Sequence, residues 1–161
     1  MKRFAIIPGS FDPATLGHVD IISRAAEIFD TVFPVVLVNG EKNGMFSPEE
    51  RLEILKCACR NIRNADCRIF RGLTSDFAKS IDARWLVKGA RNATDFDYES
   101  GLAQIMKKFD SSLETVILPA SPELSYMSST YARERIKYGC ELSDFADSET
   151  AKLIMNIKKT K

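Results

Sequence analysis

The chain has 161 residues, enough for one domain with a proper hydrophobic core, and its 45% hydrophobic and 28% charged makeup is that of an ordinary globular protein. Its 23 Lys and Arg against 22 Asp and Glu leave a net charge of +1, without the basic excess that marks a nucleic-acid footprint. No apolar run approaches the ~20 residues that span a bilayer, and the run after Met1-Lys2-Arg3 stops at Pro8-Gly9, too early for a signal peptide. A cytoplasmic protein with no nucleic-acid or membrane partner is expected.

Phe4-Ala5-Ile6-Ile7 reads as a first strand. It runs into Gly9-Ser10-Phe11-Asp12-Pro13-Ala14-Thr15-Leu16-Gly17-His18, and an amphipathic helix over about 18–29 runs out, with Val19, Ile22, Ala26 and Phe29 on its apolar stripe. Strand, glycine-bounded turn and helix start together suit a phosphate, because the first N–H groups of a helix lack partners and its dipole is positive there. The spacing is neither G-x-G-x-x-G nor the P-loop pattern. His18 is the only histidine of the chain.

Residues 32–38 form a near-continuous apolar run, as in a parallel strand buried on both faces, with Pro34 expected near its start. A loop over 39–44 carries Lys42. Ser47-Pro48-Glu49-Glu50 then gives a capping box with Pro at the first helical position. A third strand is read at 67–70, a short helix over 76–81 and a fourth strand at 85–87, ending at Lys88-Gly89-Ala90-Arg91. Thr94 is expected to cap a helix over 95–109, Thr115-Val116-Ile117-Leu118 is a fifth strand, and Ser128-Ser129-Thr130 opens a helix that Gly139 stops. A last amphipathic helix follows Asp147-Ser148. Alternation of strands and helices predicts one α/β domain over 1–161: a Rossmann-like, doubly wound sheet of about five parallel strands with flanking helices. Cys57, Cys59, Cys67 and Cys140 offer no CxxC spacing and read as structural thiols.

In such a sheet, ligands bind beyond the carboxyl ends of the strands. Ser10 and His18 follow strand one, Lys42 strand two, Thr74 strand three, Lys88 and Arg91 strand four, and Ser128-Ser129-Thr130 strand five, so all fall at one edge. Each has a plainer reading alone: solvation for Lys42, capping for Thr74 and for the hydroxyl run, exposed charge for Lys88 and Arg91. Glu99 lies at the edge of a buried helix face and needs a partner, whether a structural ion pair, a sugar hydroxyl or one of the basic residues. No Asp-x-Asp or His/Cys cluster supplies a metal cage, so magnesium would ride on substrate phosphates. No base-activated Ser or Cys is visible, so a covalent intermediate is not expected. What remains suits phosphoryl-type transfer by positioning and charge stabilisation.

Gly9-Ser10-Phe11-Asp12-Pro13 followed by Gly17-His18 resembles the first signature of the H-x-G-H nucleotidyltransferases, with Thr15 in place of the first histidine. Met127-Ser128-Ser129-Thr130-Tyr131-Ala132-Arg133 is similar to their second signature, I-S-S-T-x-x-R. With Lys88-Gly89-Ala90-Arg91 and Asp95-Phe96-Asp97-Tyr98-Glu99, nearly the whole chain resembles the bacterial phosphopantetheine adenylyltransferases. The resemblance implies transfer of the adenylyl group of ATP, with Mg2+, to 4′-phosphopantetheine, giving dephospho-coenzyme A and pyrophosphate by direct in-line attack. It implies His18 as transition-state stabiliser, with Ser10, Lys42 and Arg91 also catalytic. Ser10, Lys42, Thr74 and Lys88 would bind phosphopantetheine. Ser10, Phe11, His18, Gly89, Ala90, Arg91, Glu99, Leu124, Ser125, Tyr126, Met127, Ser128, Ser129 and Thr130 would bind ATP. A homohexamer and coenzyme A feedback are further implications. Ser10 stands for the commoner Thr, Lys88 for the commoner Arg (losing the bidentate fork), Leu124 for a frequent aromatic and Thr130 for Ser. The rival readings are another adenylyl- or cytidylyltransferase, such as one acting on nicotinate mononucleotide, and a non-catalytic nucleotide sensor.

Overall fold

The computed structural model describes residues 2–38 and 44–160. Lys42 therefore lies outside the described residues. Five strands, β1 (Phe4–Gly9), β2 (Thr31–Leu37), β3 (Arg68–Phe70), β4 (Trp85–Ala90) and β5 (Glu114–Pro119), form one parallel sheet in the order β3-β2-β1-β4-β5. The chain winds outward from β1 to β3, then crosses back to β4, so the topological switch lies between β1 and β4. The helices are α1 (Leu16–Ile28), α2 (Pro48–Ala58), α3 (Thr74–Ser80), α4 (Ala93–Phe109), α5 (Ser129–Lys137) and α6 (Ser148–Lys159), with one 3-10 turn at Pro122–Leu124.

Alternation along each strand fills the two faces of the sheet. Ala5, Ile7, Val32, Val36 and Val87 join a core with Ile22 and Ala25 of α1, Ile54 and Leu55 of α2, Ile136 of α5 and Ile154 of α6. Ile6, Val35 and Leu86 point the other way, onto Phe77 and Ala78 of α3 and Leu113. Pro34, expected near the start of its strand, is the fourth residue of β2. The position costs little because β3 pairs with β2 only from Val35 onward, after an isolated bridge at Val32.

Strand β1 pairs with β2 over six residues, and β4 with β5 over six, but β1 pairs with β4 only at Ala5–Trp85 and Ile6–Leu86. Beyond those two pairs the strands part. Ile21 of α1 sits in the opening against Gly89, where a Cβ would come within 3.0 Å of its side chain. Gly89 was expected to admit a ligand; its missing side chain also makes room for α1.

Helix starts depart from the sequence reading at several points: α1 begins at Leu16 and not His18, and α3 begins at Thr74 itself with Leu73 in the cap position, so Thr74 is not the cap. Ser47 and Glu50 form the reciprocal capping box. For α4, however, Asn92 rather than Thr94 is the cap, its side chain accepting the Asp95 N–H at 2.9 Å. Asn is at least as good a cap as Thr, and it lies two residues after the end of β4 at Ala90.

Asp147 caps α6 and clasps it to the end of α2. Its carboxylate accepts the N–H groups of Glu149 and Thr150 and the Thr150 hydroxyl, and pairs with Arg60 at 3.0 Å. Burial opposes ionisation of this carboxyl, but hydrogen bonds from Arg60 and Thr150 prevail and hold its pKa down to about 2, against an ordinary 3.8. Because the folded value is the lower, this contribution to stability is present above pH 3.8 and is lost as the pH falls towards about 2. Asp147→Asn should flatten the fall in unfolding free energy across that window, measured by urea titration at several pH values. An unchanged slope would contradict the clasp.

Candidate active site

The cleft of about 510 Å³ opens where β1 and β4 separate, and its lining begins at Ile7 and Val87, just past the last paired residues. Two helix mouths face it. Helix α1 contributes Gly17 and His18, and α5 contributes Ser129 and Thr130. The first N–H of α1, at Leu16, is already given to the Phe145 carbonyl at 2.8 Å, which fixes the helix start from behind.

The turn between β1 and α1 is strained. Phe11 has φ of +45°, a left-handed conformation that side chains disfavour. Phe11 is buried and packs edge-on against the His18 ring, centroids 5.1 Å apart. Its ring therefore supports His18 from the protein side. Ser10, by contrast, is exposed at the cleft.

The protonation of His18 follows from its contacts. Its Nδ1 accepts the Thr15 backbone N–H at 3.0 Å, and the Thr15 hydroxyl lies 2.9 Å from the same nitrogen. A backbone N–H can only donate, so Nδ1 carries no proton and the neutral ring holds its proton on Nε2. Burial, and then the charge of Arg91, push the pKa down to about 4. At neutral pH the ring is therefore an uncharged N–H donor with no free lone pair, and it cannot serve as a general base for Ser10.

Two cations at the end of β4 are held by the start of α4. Lys88 Nζ lies 3.1 Å from Glu99 Oε2, both side chains largely buried. Of the partners open to Glu99 in the sequence, the structure supplies the basic one. Arg91 Nε donates to Asp95 at 2.8 Å, and its Nη1 donates to the Met127 carbonyl at 3.3 Å. That guanidinium holds the Asp95 carboxyl below the usual carboxylate range.

At the second mouth each hydroxyl has a protein partner. Ser128 caps α5 by accepting the Tyr131 N–H at 3.0 Å, Ser129 donates to the Pro13 carbonyl at 2.9 Å, and Thr130 accepts from Arg133 at 2.9 Å. The capping reading therefore holds for Ser128, and a helix N-terminus of this kind is also suited to an anion. The segment before α5 is pinned to α1: Ser121 donates to Asp20, and Arg24 to the Pro119 carbonyl at 2.8 Å.

Of the residues singled out in the sequence, Ser10, Phe11, His18, Lys88, Gly89, Arg91, Glu99, Leu124, Met127, Ser128, Ser129 and Thr130 line one cleft. Ala90, Ser125, Tyr126 and Thr74 do not line it: Ala90 is buried in β4, Ser125 and Tyr126 sit in the turn before α5, and Thr74 opens α3 beyond β3. Arg133 and Asp95, quoted only within motifs, do line it. Arg133 was findable from its place one turn after Ser129; Asp95 was masked by its expected role in a helix start.

A family model described as cytidylyltransferase-like matches residues 6–135. The chain is 42% identical over 152 residues to the phosphopantetheine adenylyltransferase of Lachnoclostridium phytofermentans, covering 94% of this chain and 93% of that one. It is 42% identical over 153 residues to the enzyme of the same name from Caldanaerobacter subterraneus, covering 95% and 96%. A crystal structure from Vibrio parahaemolyticus, described as a nicotinate-nucleotide adenylyltransferase, superposes with a TM-score of 0.71 over 97% of this chain at 15% identity, a likeness of fold.

With one histidine in the chain, its titration is directly visible by NMR. The His18 ring should titrate near pH 4, and Arg91→Met should move the midpoint upward. A midpoint at the ordinary 6.5 would contradict the neutral ring.

Proposed function

The chain belongs to the cytidylyltransferase-like family and, within it, to the phosphopantetheine adenylyltransferases, and from that membership we propose how its residues divide the work. It is a nucleotidyltransferase of coenzyme A biosynthesis. Its substrates are ATP and 4′-phosphopantetheine, and its products dephospho-coenzyme A and pyrophosphate.

An acceptor phosphate oxygen attacks the α-phosphorus of ATP. The new P–O bond forms as the bond to the β-phosphate bridge breaks, and pyrophosphate leaves in line. Charge grows on the α-phosphate oxygens, and the Nε2–H of His18 donates to one of them. That neutral donor, aimed into a cleft between two helix mouths, is the observation that carries the reading. Because its other nitrogen is taken by Thr15, His18 can activate no hydroxyl, which supports direct displacement over an enzyme-bound intermediate.

Ser10 orients the attacking phosphate, with Lys42 and Lys88 binding it; Lys42 enters on the sequence resemblance alone. Thr74 lines the pantetheine arm. Gly89, Arg91, Glu99, Leu124, Met127, Ser128, Ser129 and Thr130, with Ser10, Phe11 and His18, hold ATP from the lining of the cleft; Ala90, Ser125 and Tyr126 enter on the sequence resemblance alone. Phosphate charge would be neutralised by magnesium carried in with the nucleotide. The cleft carboxylates Asp95 and Glu99 are already paired with Arg91 and Lys88, which fits an ion held by phosphates and not by side chains.

Assembly as a homohexamer is supported by α4, which buries no residue fully and exposes Tyr98, Ile105 and Phe109 along one stripe. Among the described residues no helix is long and apolar enough to cross a membrane. Dephospho-coenzyme A and coenzyme A would occupy the same acceptor side as product and feedback ligand.

The test is pyrophosphate release from ATP and magnesium with 4′-phosphopantetheine, alongside nicotinate mononucleotide as rival acceptor. Release with the first alone is expected, and release only with the second would overturn the acceptor. His18→Ala should lower kcat about 100- to 1,000-fold with little change in KM for ATP, the cost of one lost transition-state donor. Near-normal turnover would remove His18 from that role.

A further inference from the structure

Asp12 belongs to the strained first turn, yet it does not line the cleft. Its side chain is only 7% exposed. Such a carboxylate must be paid for by partners, and it has them on three segments. Its two oxygens accept the backbone N–H groups of Met45 at 2.9 Å and Phe46 at 3.0 Å, just before α2. Arg51 Nε, also buried, lies 3.3 Å away while donating to the Phe46 carbonyl at 2.7 Å. Arg133 of α5 lies 3.9 Å from its other oxygen.

The α5 side is the one that reaches the chemistry. Arg133 Nη1 donates to the Asp12 main-chain carbonyl at 2.8 Å, and its Nη2 donates to the Thr130 hydroxyl at 2.9 Å. Ser129 adds its bond to the Pro13 carbonyl. So two adjacent carbonyls of the first turn hold the first turn of α5, and the Asp12 charge keeps the bridging guanidinium in place.

We propose that Asp12 is a positioning residue: through Arg133 it fixes the spacing between the α1 and α5 mouths that must grip one polyphosphate at two points. This rests on the adenylyl-transfer reading above. The ground-state nucleotide can tolerate a looser pair of mouths, whereas the compact in-line transition state cannot. The Arg51 contact, on the opposite side, only anchors the entry of α2.

Two variants break the same buried ion pair and separate these roles. Asp12→Asn keeps the side-chain shape but loses the charge that holds Arg133. Arg51→Met removes the pair from the α2 side and leaves Asp12 facing Arg133. Both should lower the unfolding midpoint. Only Asp12→Asn should lower kcat, by about 100-fold, with KM for ATP moving less than about threefold. Arg51→Met should keep kcat near that of the parent.

Parallel kcat losses in the two variants would reduce Asp12 to a stabilising residue and overturn the proposal, as would an unchanged kcat in Asp12→Asn. If Asp12→Asn does not fold, Arg133→Lys carries the test: it retains the charge but cannot hold the Asp12 carbonyl and Thr130 together. The same kcat loss is expected there, and full activity would overturn the proposal. A parent protein that releases no pyrophosphate would instead refute the underlying reaction.

Discussion

Everything at the site depends on β1 and β4 pairing over only two residues. At the topological switch no helix connection spans the carboxyl ends, so once the strands part a crevice opens between them. Each strand delivers its own ligand-facing segment to a different wall: β1 leads to the strained turn and His18, β4 to Lys88 and Arg91. The third wall, at α5, arrives from β5. Gly9 and Gly89 are paired on their outer sides, to Val36 and Leu118; were β1 and β4 zipped to their ends, the two glycines would also face each other and the cleft would close.

The charges within this crevice are arranged before any ligand comes. Lys88 faces Glu99, Arg91 faces Asp95, and Arg133 bridges the Asp12 carbonyl and Thr130. Cations held in this way are costly to reorient, which is what stabilising a transition state asks of them. They also leave the site less positive than a count of its basic residues implies, so phosphates must compete for donors already engaged. His18 fits the same logic. It offers a fixed dipole in place of a charge, and its orientation is set by Thr15, the residue standing where related signatures carry another histidine.

Much of this was legible in the sequence because it rests on short-range patterns. The alternation of strands and helices, the phosphate-type turn at Gly9–His18 and the hydroxyl run at the start of α5 each rest on patterns of about ten residues. Asp12 was not. Nothing local distinguishes a turn aspartate that stays in water from one buried against Arg51 and two backbone amides 33 and 34 positions away. The same holds for Glu99, whose need of a partner could be read from its helix face but whose choice of Lys88 could not. Asn92 and Thr94 are likewise both competent caps, and the helix starts at Ala93, which leaves Thr94 inside its first turn.

A neutral His18 with its only acceptor nitrogen occupied makes one claim about the reaction above the others: the acceptor attacks the α-phosphorus directly. Turnover of ATP made chiral at the α-phosphorus by a single sulfur substitution tests it. One in-line displacement predicts inverted configuration in the dephospho-coenzyme A thiophosphate product. Retention would require two displacements and an adenylylated enzyme, and would contradict the account.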